Sequence, residues 1–389
     1  MTGEARSIQT IVAEADRCAT RGDVAAARLL LDEAVKLKPD DVDSWLKLAS
    51  MCRAAGDIEA AMRAASGALN AEPLHFVALL LRASLLERQG SSEAGEAYGR
   101  ALAQRPDAAL PPQLAAMVGR ATERYRTHIA RNEAHLAAAM TDAEQAASPD
   151  EAARMKRFRT NTLRLTRAYH AEPTHYHYPG LSEREFHDRT LFAWLPQLEA
   201  ATDAIAADFE RVMSAERAEL VPYIQYPDGV PLRQWKALNH SSEWTAIHLL
   251  QNGRRIDANA RHCEATMAVL STIPQPRIPN CSPNAMFSLL APGAHIPPHH
   301  GVANTRLVCH LPLIVPDGCS FRVGAETRCW RRGEAFVFDD TIEHEAANES
   351  GMLRVVLIFD LWHPGLAPIE REAVTILMTT HGAGGDGAL

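Results

Sequence analysis

Three residues in the C-terminal half have types and spacing suited to metal and anion chemistry. His299 and His344 stand 45 residues apart, and Arg354 follows ten residues later. In a jelly roll, such histidines can meet at one mouth of the strands and hold one metal. An arginine on a later strand can then receive an anion that chelates it. Octahedral Fe(II) sites of this kind use imidazole nitrogens plus a carboxylate, leaving positions for an oxoacid and O2. The carboxylate is the difficulty, because position 301, two after His299, is glycine. Each histidine alone reads as a packed or surface residue; only the combination points to a site.

Strand alternation adds candidates. Along "NTRLVCHLP" side chains point to opposite faces, so Arg306, Val308 and His310 share one face while Leu307, Cys309 and Leu311 share the other. In "MLRVVLIFDL" Arg354 lies on the face of Val356 and Ile358. A guanidinium among branched apolar side chains needs a compensating anion. Two sources are open: a ligand carboxylate, or a cross-strand salt bridge to Asp339, Asp340 or Glu326. His175 and His177 in "HYHYPG" have no partner at ligand spacing and read as surface or packing residues.

The elements that must carry these residues are short strands: "AMFSLL", "NTRLVCHLPLIV", "CSFRV", "ETRCW", "EAFVF" and "MLRVVLIFDLW". Turn signals such as "APG", "PDG", "RRGE" and "NESG" separate them, with no helix-length pattern between residues 285 and 362. That implies an antiparallel sandwich or barrel of the jelly-roll, double-stranded β-helix kind. Two helical stretches, about 181 to 217, precede it.

The first hundred residues are different. Gly22, Gly56 and Gly90 recur every 34 residues, as do Ala15, Ala49 and Ala83, and Pro39, Pro73 and Pro106 keep step with one residue lost. Ala27, Ala61 and Ala94 follow in register, then Ala34, Ala68 and Ala101. Small residues where helices touch, a glycine at the turn and a late proline resemble tetratricopeptide repeats. The expected organisation is a helical repeat solenoid over 1–107, a helical connector over 108–174, the β domain over 175–370, and a tail over 371–389.

A net charge of −8 with a pI near 6.1 argues against a nucleic-acid partner. The N-terminus lacks a basic region followed by an apolar run, and no stretch is long enough to span a bilayer, so no membrane partner and a cytoplasmic location are expected. Seven cysteines without CxxC spacing do not make a zinc ribbon or a disulfide framework.

The run from "FSLLAPGAHIPPHHGVANTRLVCHLPLIVPDGC" through "FRVGAETRCWRRGEAFVFDDTIEHEAANESGMLRVVLIFDLWHP" resembles the aspartyl/asparaginyl β-hydroxylase family of 2-oxoglutarate-dependent oxygenases. "YPGLSEREFHDRTLFAW", "VPYIQYP", "LNHSSEW" and "NGRRI" extend the similarity to roughly residues 175–370. The resemblance implies iron held by two histidines, His299 and His344, with Gly301 at the position of the missing carboxylate. Water would fill that place. Asp340, four residues before His344, is the candidate to hold it, and a turn cap in "FDDT" is the alternative.

Ser288, His310 and Arg354 match positions that bind 2-oxoglutarate in the family: Arg354 and Ser288 at the distal carboxylate, His310 at the one nearer the iron. An arginine often found two residues before this histidine is Val308 here, and Arg306 on the same face is left to compensate. His300 is read as lining the pocket or facing solvent, His295 matches no ligand, and His363 is read as packing.

The implied reaction oxidises 2-oxoglutarate to succinate and CO2 with O2 while hydroxylating an unactivated carbon. That carbon is the β-carbon of an aspartyl or asparaginyl residue, in a peptide or protein, or of a related small amino-acid-derived molecule. The repeats offer a surface for a protein partner. Two other readings compete: a non-catalytic interaction module with a degenerate jelly roll, and a zinc or manganese isomerase.

Overall fold

The computed structural model describes residues 7–215, 220–226, 229, 235, 236 and 238–381. The chain divides into two compact units, Met1–Leu163 and Arg164–Leu389.

The first unit is helical: α1 (Ile8–Thr20), α2 (Val24–Leu37), α3 (Val42–Ala54), α4 (Ile58–Ala71), α5 (Phe76–Arg88), α6 (Ala94–Leu102), α7 (Pro112–Ala146) and α8 (Pro149–Thr162). Consecutive helices pack as pairs, and the repeated residues explain why. Gly22, Gly56 and Gly90 follow the first helix of each pair with φ of 82°, 79° and 69°, a left-handed conformation that ends a helix and that glycine adopts without strain. Asp23 and Asp57 then cap the next helix by accepting from the Ala26 and Ala60 N–H groups. The alanines in register are buried where the helices meet, so larger side chains would drive the helices apart. This is a solenoid of the tetratricopeptide kind. Among the described residues, no helix is long and apolar enough to cross a membrane.

In the second unit α9 (Leu195–Ala200) and α10 (Thr202–Ser214) precede β1 (Val221–Pro222), β2 (Trp244–Gln251) and β3 (Arg254–Arg255). Then come α11 (Asp257–Ala260), α12 (Glu264–Ser271), β4 (Ala285–Leu290), β5 (His295–His299), β6 (Arg306–Ile314) and β7 (Cys319–Val323). The chain ends through β8 (Glu326–Arg328), β9 (Phe336–Phe338), β10 (His344–Asn348), β11 (Arg354–Trp362) and α13 (Pro368–Thr380). A seven-stranded sheet runs β1-β2-β4-β11-β6-β9 with β3 beside β2, and a four-stranded sheet runs β5-β10-β7-β8. All of these pairings are antiparallel.

The large sheet is buried on both faces, and the two faces do different things. Leu307, Phe287, Leu357 and Phe359 pack with Leu198, Ile205, Phe209 and Leu270 of the helices. The alternate residues Trp244, Met286, Val308 and Val356 pack with Ile296, Phe321, Val323 and Ala346 of the small sheet. Burial of about 24 apolar residues in the first layer alone, at roughly 1.5–3 kcal/mol per large side chain, makes the large sheet a rigid floor. The second layer opens into the cavity.

Several boundaries differ from those expected from sequence. The helical part of 108–174, with its Ser148–Glu151 capping box, lies in the first unit. Residues from Arg164 lie in the second, where the Glu172 and Thr174 N–H groups donate to the carbonyls of Thr341 and Gly301. Much of 371–389 is not a tail but helix α13, which buries Val374 and Met378 against Ile278; residues 382–389 lie outside the described residues. Of the two helical stretches placed at 181–217, the α-helix begins only at Leu195, after a short 3-10 turn at Arg189–Leu191. Strand β2 is not evident from the sequence, because "WTAIHLLQ" mixes Thr245, His248 and Gln251 with apolar residues and shows neither clean alternation nor an apolar run.

Candidate active site

One cavity between the two sheets gathers most of the sequence candidates: Ser288, His299, His300, Gly301, Val308, His310, Asp340, His344 and Arg354 line it together with Tyr223, Trp235, Trp244 and Trp330. His299 ends β5 and His344 begins β10, and the two are direct partners in the strand register. Their rings are 3.9 Å apart between centroids. A β-bulge follows at once, between His344 and Ala346.

Each imidazole is fixed by its own strand. His299 Nδ1 donates to the Pro297 carbonyl at 2.7 Å, and His344 Nδ1 donates to the Ile342 carbonyl at 3.1 Å. A proton committed to Nδ1 leaves Nε2 as a lone pair, the form a metal requires. Burial depresses both pKa values, His299 to about 4 and His344 well below its usual value, so both rings are neutral at neutral pH. Among the described residues there is no cluster of three or more His, Cys, Asp or Glu side chains able to hold a metal. The donor set is two imidazoles, which suits a metal that takes its remaining ligands from water and a chelating co-substrate.

Gly301 leaves room for a carboxylate from another part of the chain. A Cβ built there would fall 2.2 Å from Asp340 Oδ2 and 2.3 Å from its Cγ. Asp340 therefore occupies the space that a side chain at 301 would need. The chain is pinned at this point by the Gly301 N–H donating to the Asp340 carbonyl at 2.7 Å. The turn cap in "FDDT" is Asp339, whose carboxylate accepts from the Thr341 N–H at 2.9 Å and from the Thr341 hydroxyl at 2.5 Å. Asp340 instead turns inward, its Oδ2 3.4 Å from Arg306 Nη2 and its Oδ1 buried without a partner. Burial raises its pKa and the Arg306 charge opposes that rise.

The two arginine candidates separate. Arg306 does not line the cavity; it backs Asp340. Burial works against its charge, yet Asp340 and Asp360 leave its pKa raised. Arg354 is 1% exposed and lines the cavity, and no carboxylate among the described residues pairs with it. Its Nη1 makes only long contacts to the Ser288 carbonyl, 3.5 Å, and hydroxyl, 3.4 Å, while its Nε has no partner. Burial lowers its pKa to about 10. The cross-strand salt bridge to Asp339, Asp340 or Glu326 is thus not made, and a cation faces the cavity uncompensated.

Other histidines fall outside the ligand pair. His295 is on the surface beside Glu345, and His175 and His177 are exposed. His363 is packed, with Nε2 donating to the Ser182 carbonyl at 3.3 Å and Nδ1 accepting from the Gly365 N–H at 3.0 Å. Sequence reasoning missed the aromatic wall. Tyr223 stacks on Trp244 at 3.7 Å, and Trp235 lies 4.7 Å from His299. "VPYIQYP" and "HSSEW" held two of these rings, but nothing in their spacing showed that they would meet.

An antiparallel double sheet thus brings two histidines and a buried arginine together at one cavity. The family model for aspartyl/asparaginyl beta-hydroxylase matches residues 199–364. Human aspartate beta-hydroxylase domain-containing protein 2 is 38% identical over 140 residues, which is 35% of this chain and 38% of that protein. Human aspartyl/asparaginyl beta-hydroxylase is 31% identical over 183 residues, 46% of this chain and 24% of that protein. The ornithine lipid ester-linked acyl 2-hydroxylase of Rhizobium tropici is 33% identical over 201 residues, 51% of this chain and 67% of that protein. The chain belongs to the aspartyl/asparaginyl β-hydroxylase family, while spanning well under half the length of the two human relatives. The helical unit has solved counterparts of low overall similarity. One is the type III secretion chaperone SycD of Yersinia enterocolitica, at 14% identity and a TM-score of 0.30, over 34% of this chain and 98% of that one.

Proposed function

We propose that the chain is an Fe(II)- and 2-oxoglutarate-dependent oxygenase that hydroxylates an unactivated carbon. The observation that carries this reading is Arg354: a buried guanidinium, open to the cavity, with no acid to balance it. Such a charge is expensive unless an anion arrives, and a planar fork of N–H donors suits a carboxylate. Ser288 stands beside it to add a hydroxyl.

His299 and His344 would hold the metal, which with 2-oxoglutarate and O2 supplies an oxidation that side chains cannot perform. His310, which lines the same cavity, would meet the co-substrate carboxylate nearer the metal. Asp340 would orient a water bound at the place a third protein ligand usually takes, and Arg306 holds Asp340 rather than the co-substrate. The aromatic wall of Tyr223, Trp235 and Trp244 lines the cavity and would help keep water from the reacting carbon. We take the target to be the β-carbon of an aspartyl or asparaginyl residue, in a peptide or a small amino-acid-derived molecule. The acyl chain named for the Rhizobium tropici relative is the rival. The helical repeats are suited to a protein partner.

The test is anaerobic calorimetry of 2-oxoglutarate added to the Fe(II)- or Mn(II)-loaded chain and to its His344→Ala and Arg354→Ala variants. Metal-dependent binding lost in both variants supports the reading. A wild type that takes up neither metal nor 2-oxoglutarate returns the chain to a non-catalytic interaction module. Product analysis with an aspartyl peptide and with an acyl lipid then separates the two substrate classes.

A further inference from the structure

Trp330 follows β8 and is 5% exposed. It touches both residues that the proposed co-substrate must meet. Its ring lies under the Arg354 guanidinium, 4.9 Å from Cζ to the ring centroid. Its indole Nε1–H donates to His310 Nδ1 at 3.3 Å.

An indole N–H can only donate, so His310 Nδ1 must carry the lone pair and the ring proton must sit on Nε2. Three further rings pack around His310: Phe338 at 4.8 Å, Phe321 at 4.9 Å and Phe336 at 5.5 Å between centroids. They fix the plane of the imidazole but offer no hydrogen bond that chooses a tautomer. Among the described residues, Trp330 alone is hydrogen-bonded to this ring. With Nδ1 occupied from behind, the Nε2–H is the group left to the cavity that His310 lines. The same indole gives Arg354 an electron-rich face in place of the missing carboxylate, so the cation stays charged without being neutralised.

We infer that Trp330 is the positioning residue of the co-substrate site: its N–H sets His310 as a donor toward one carboxylate, and its ring holds Arg354 for the other. This rests on the co-substrate reading above, but its first consequence needs neither metal nor 2-oxoglutarate. In long-range 1H–15N NMR spectra of the 15N-histidine-labelled full chain, without metal, His310 shows the Nε2–H tautomer. In Trp330→Phe, which keeps a smaller aromatic ring in place and removes the N–H donor, the His310 nitrogens move to a tautomer mixture.

With metal loaded, 2-oxoglutarate binds about fivefold more weakly in Trp330→Phe, the worth of one neutral hydrogen bond. In Trp330→Ala, where the stack on Arg354 goes too, the loss is about fiftyfold. A His310 found in the Nδ1–H form in the wild type, which no substitution can confound, overturns the inference. So does a tautomer unchanged in a folded Trp330→Phe. A wild type that fails to bind 2-oxoglutarate while showing the Nε2–H tautomer sinks the co-substrate reading instead, and leaves the tautomer assignment upheld.

Discussion

Two buried arginines stand on neighbouring strands of one sheet and meet opposite fates. Arg306, on β6, reaches a carboxylate at 3.4 Å, while Arg354, on β11, has none. Both lie on the cavity side of the large sheet, and both lose hydration. The chain balances the first internally, which makes the Arg306–Asp340 pair part of the framework. It leaves the second unbalanced, so Arg354 costs stability until a ligand anion is present. A balanced buried charge supports the fold, and an unbalanced one marks a place for something else.

The largest test of that contrast is binding. Arg354→Met should weaken 2-oxoglutarate by at least about 100-fold, roughly 3 kcal/mol for a buried charge-assisted fork, measured by calorimetry on the metal-loaded chain. Next comes stability, where the two arginines should part in sign. Arg306→Met strands the Asp340 carboxylate in the interior and should destabilise the chain by about 3 kcal/mol. Arg354→Met removes a charge with no partner and should be neutral or stabilising by about 1 kcal/mol. Thermal or urea unfolding of the β-domain transition reads both, and equal losses in the two variants would collapse the contrast.

Gly301→Ala should cost about 1–3 kcal/mol, because the new methyl meets the Asp340 carboxylate and pushes it from Arg306. The smallest effect is in pH. Burial lowers the folded pKa of Arg354 to about 10, below its unfolded value, so between the two the unfolded chain binds more protons. Its contribution to stability therefore rises with pH across that window. Co-substrate affinity should move the other way, flat from pH 7 to 9 and falling above about 10, in calorimetric titrations.

Much of this contrast is legible in the sequence. Alternation along β6 and β11 put Arg306, Val308, His310 and Arg354 on the right faces, since a sheet obliges every second residue to point inward. The partner of each arginine was not legible. Asp339 and Asp340 are adjacent, and which one caps the turn depends on backbone angles that sequence spacing leaves open. Arg306 was expected to compensate at the co-substrate site, yet it sits behind Asp340. Gly301 was read as an absence, while its real effect is spatial: it admits a carboxylate from elsewhere. In the helical unit the outcome was easier, because a 34-residue period repeats the same packing problem and the same solution.

The direct cross-strand pairing of His299 with His344 has one more consequence. Forty-five residues of chain separate them, yet in space they are a single step apart, held by the rungs between β5 and β10. The turns between them, such as 316–318 and 331–333, can therefore change length without moving the pair. A single inserted residue inside β5 before His299 would turn that imidazole to the far side of its strand. Tolerance of this molecule to change is thus written in its ladder rungs and not in its loop lengths.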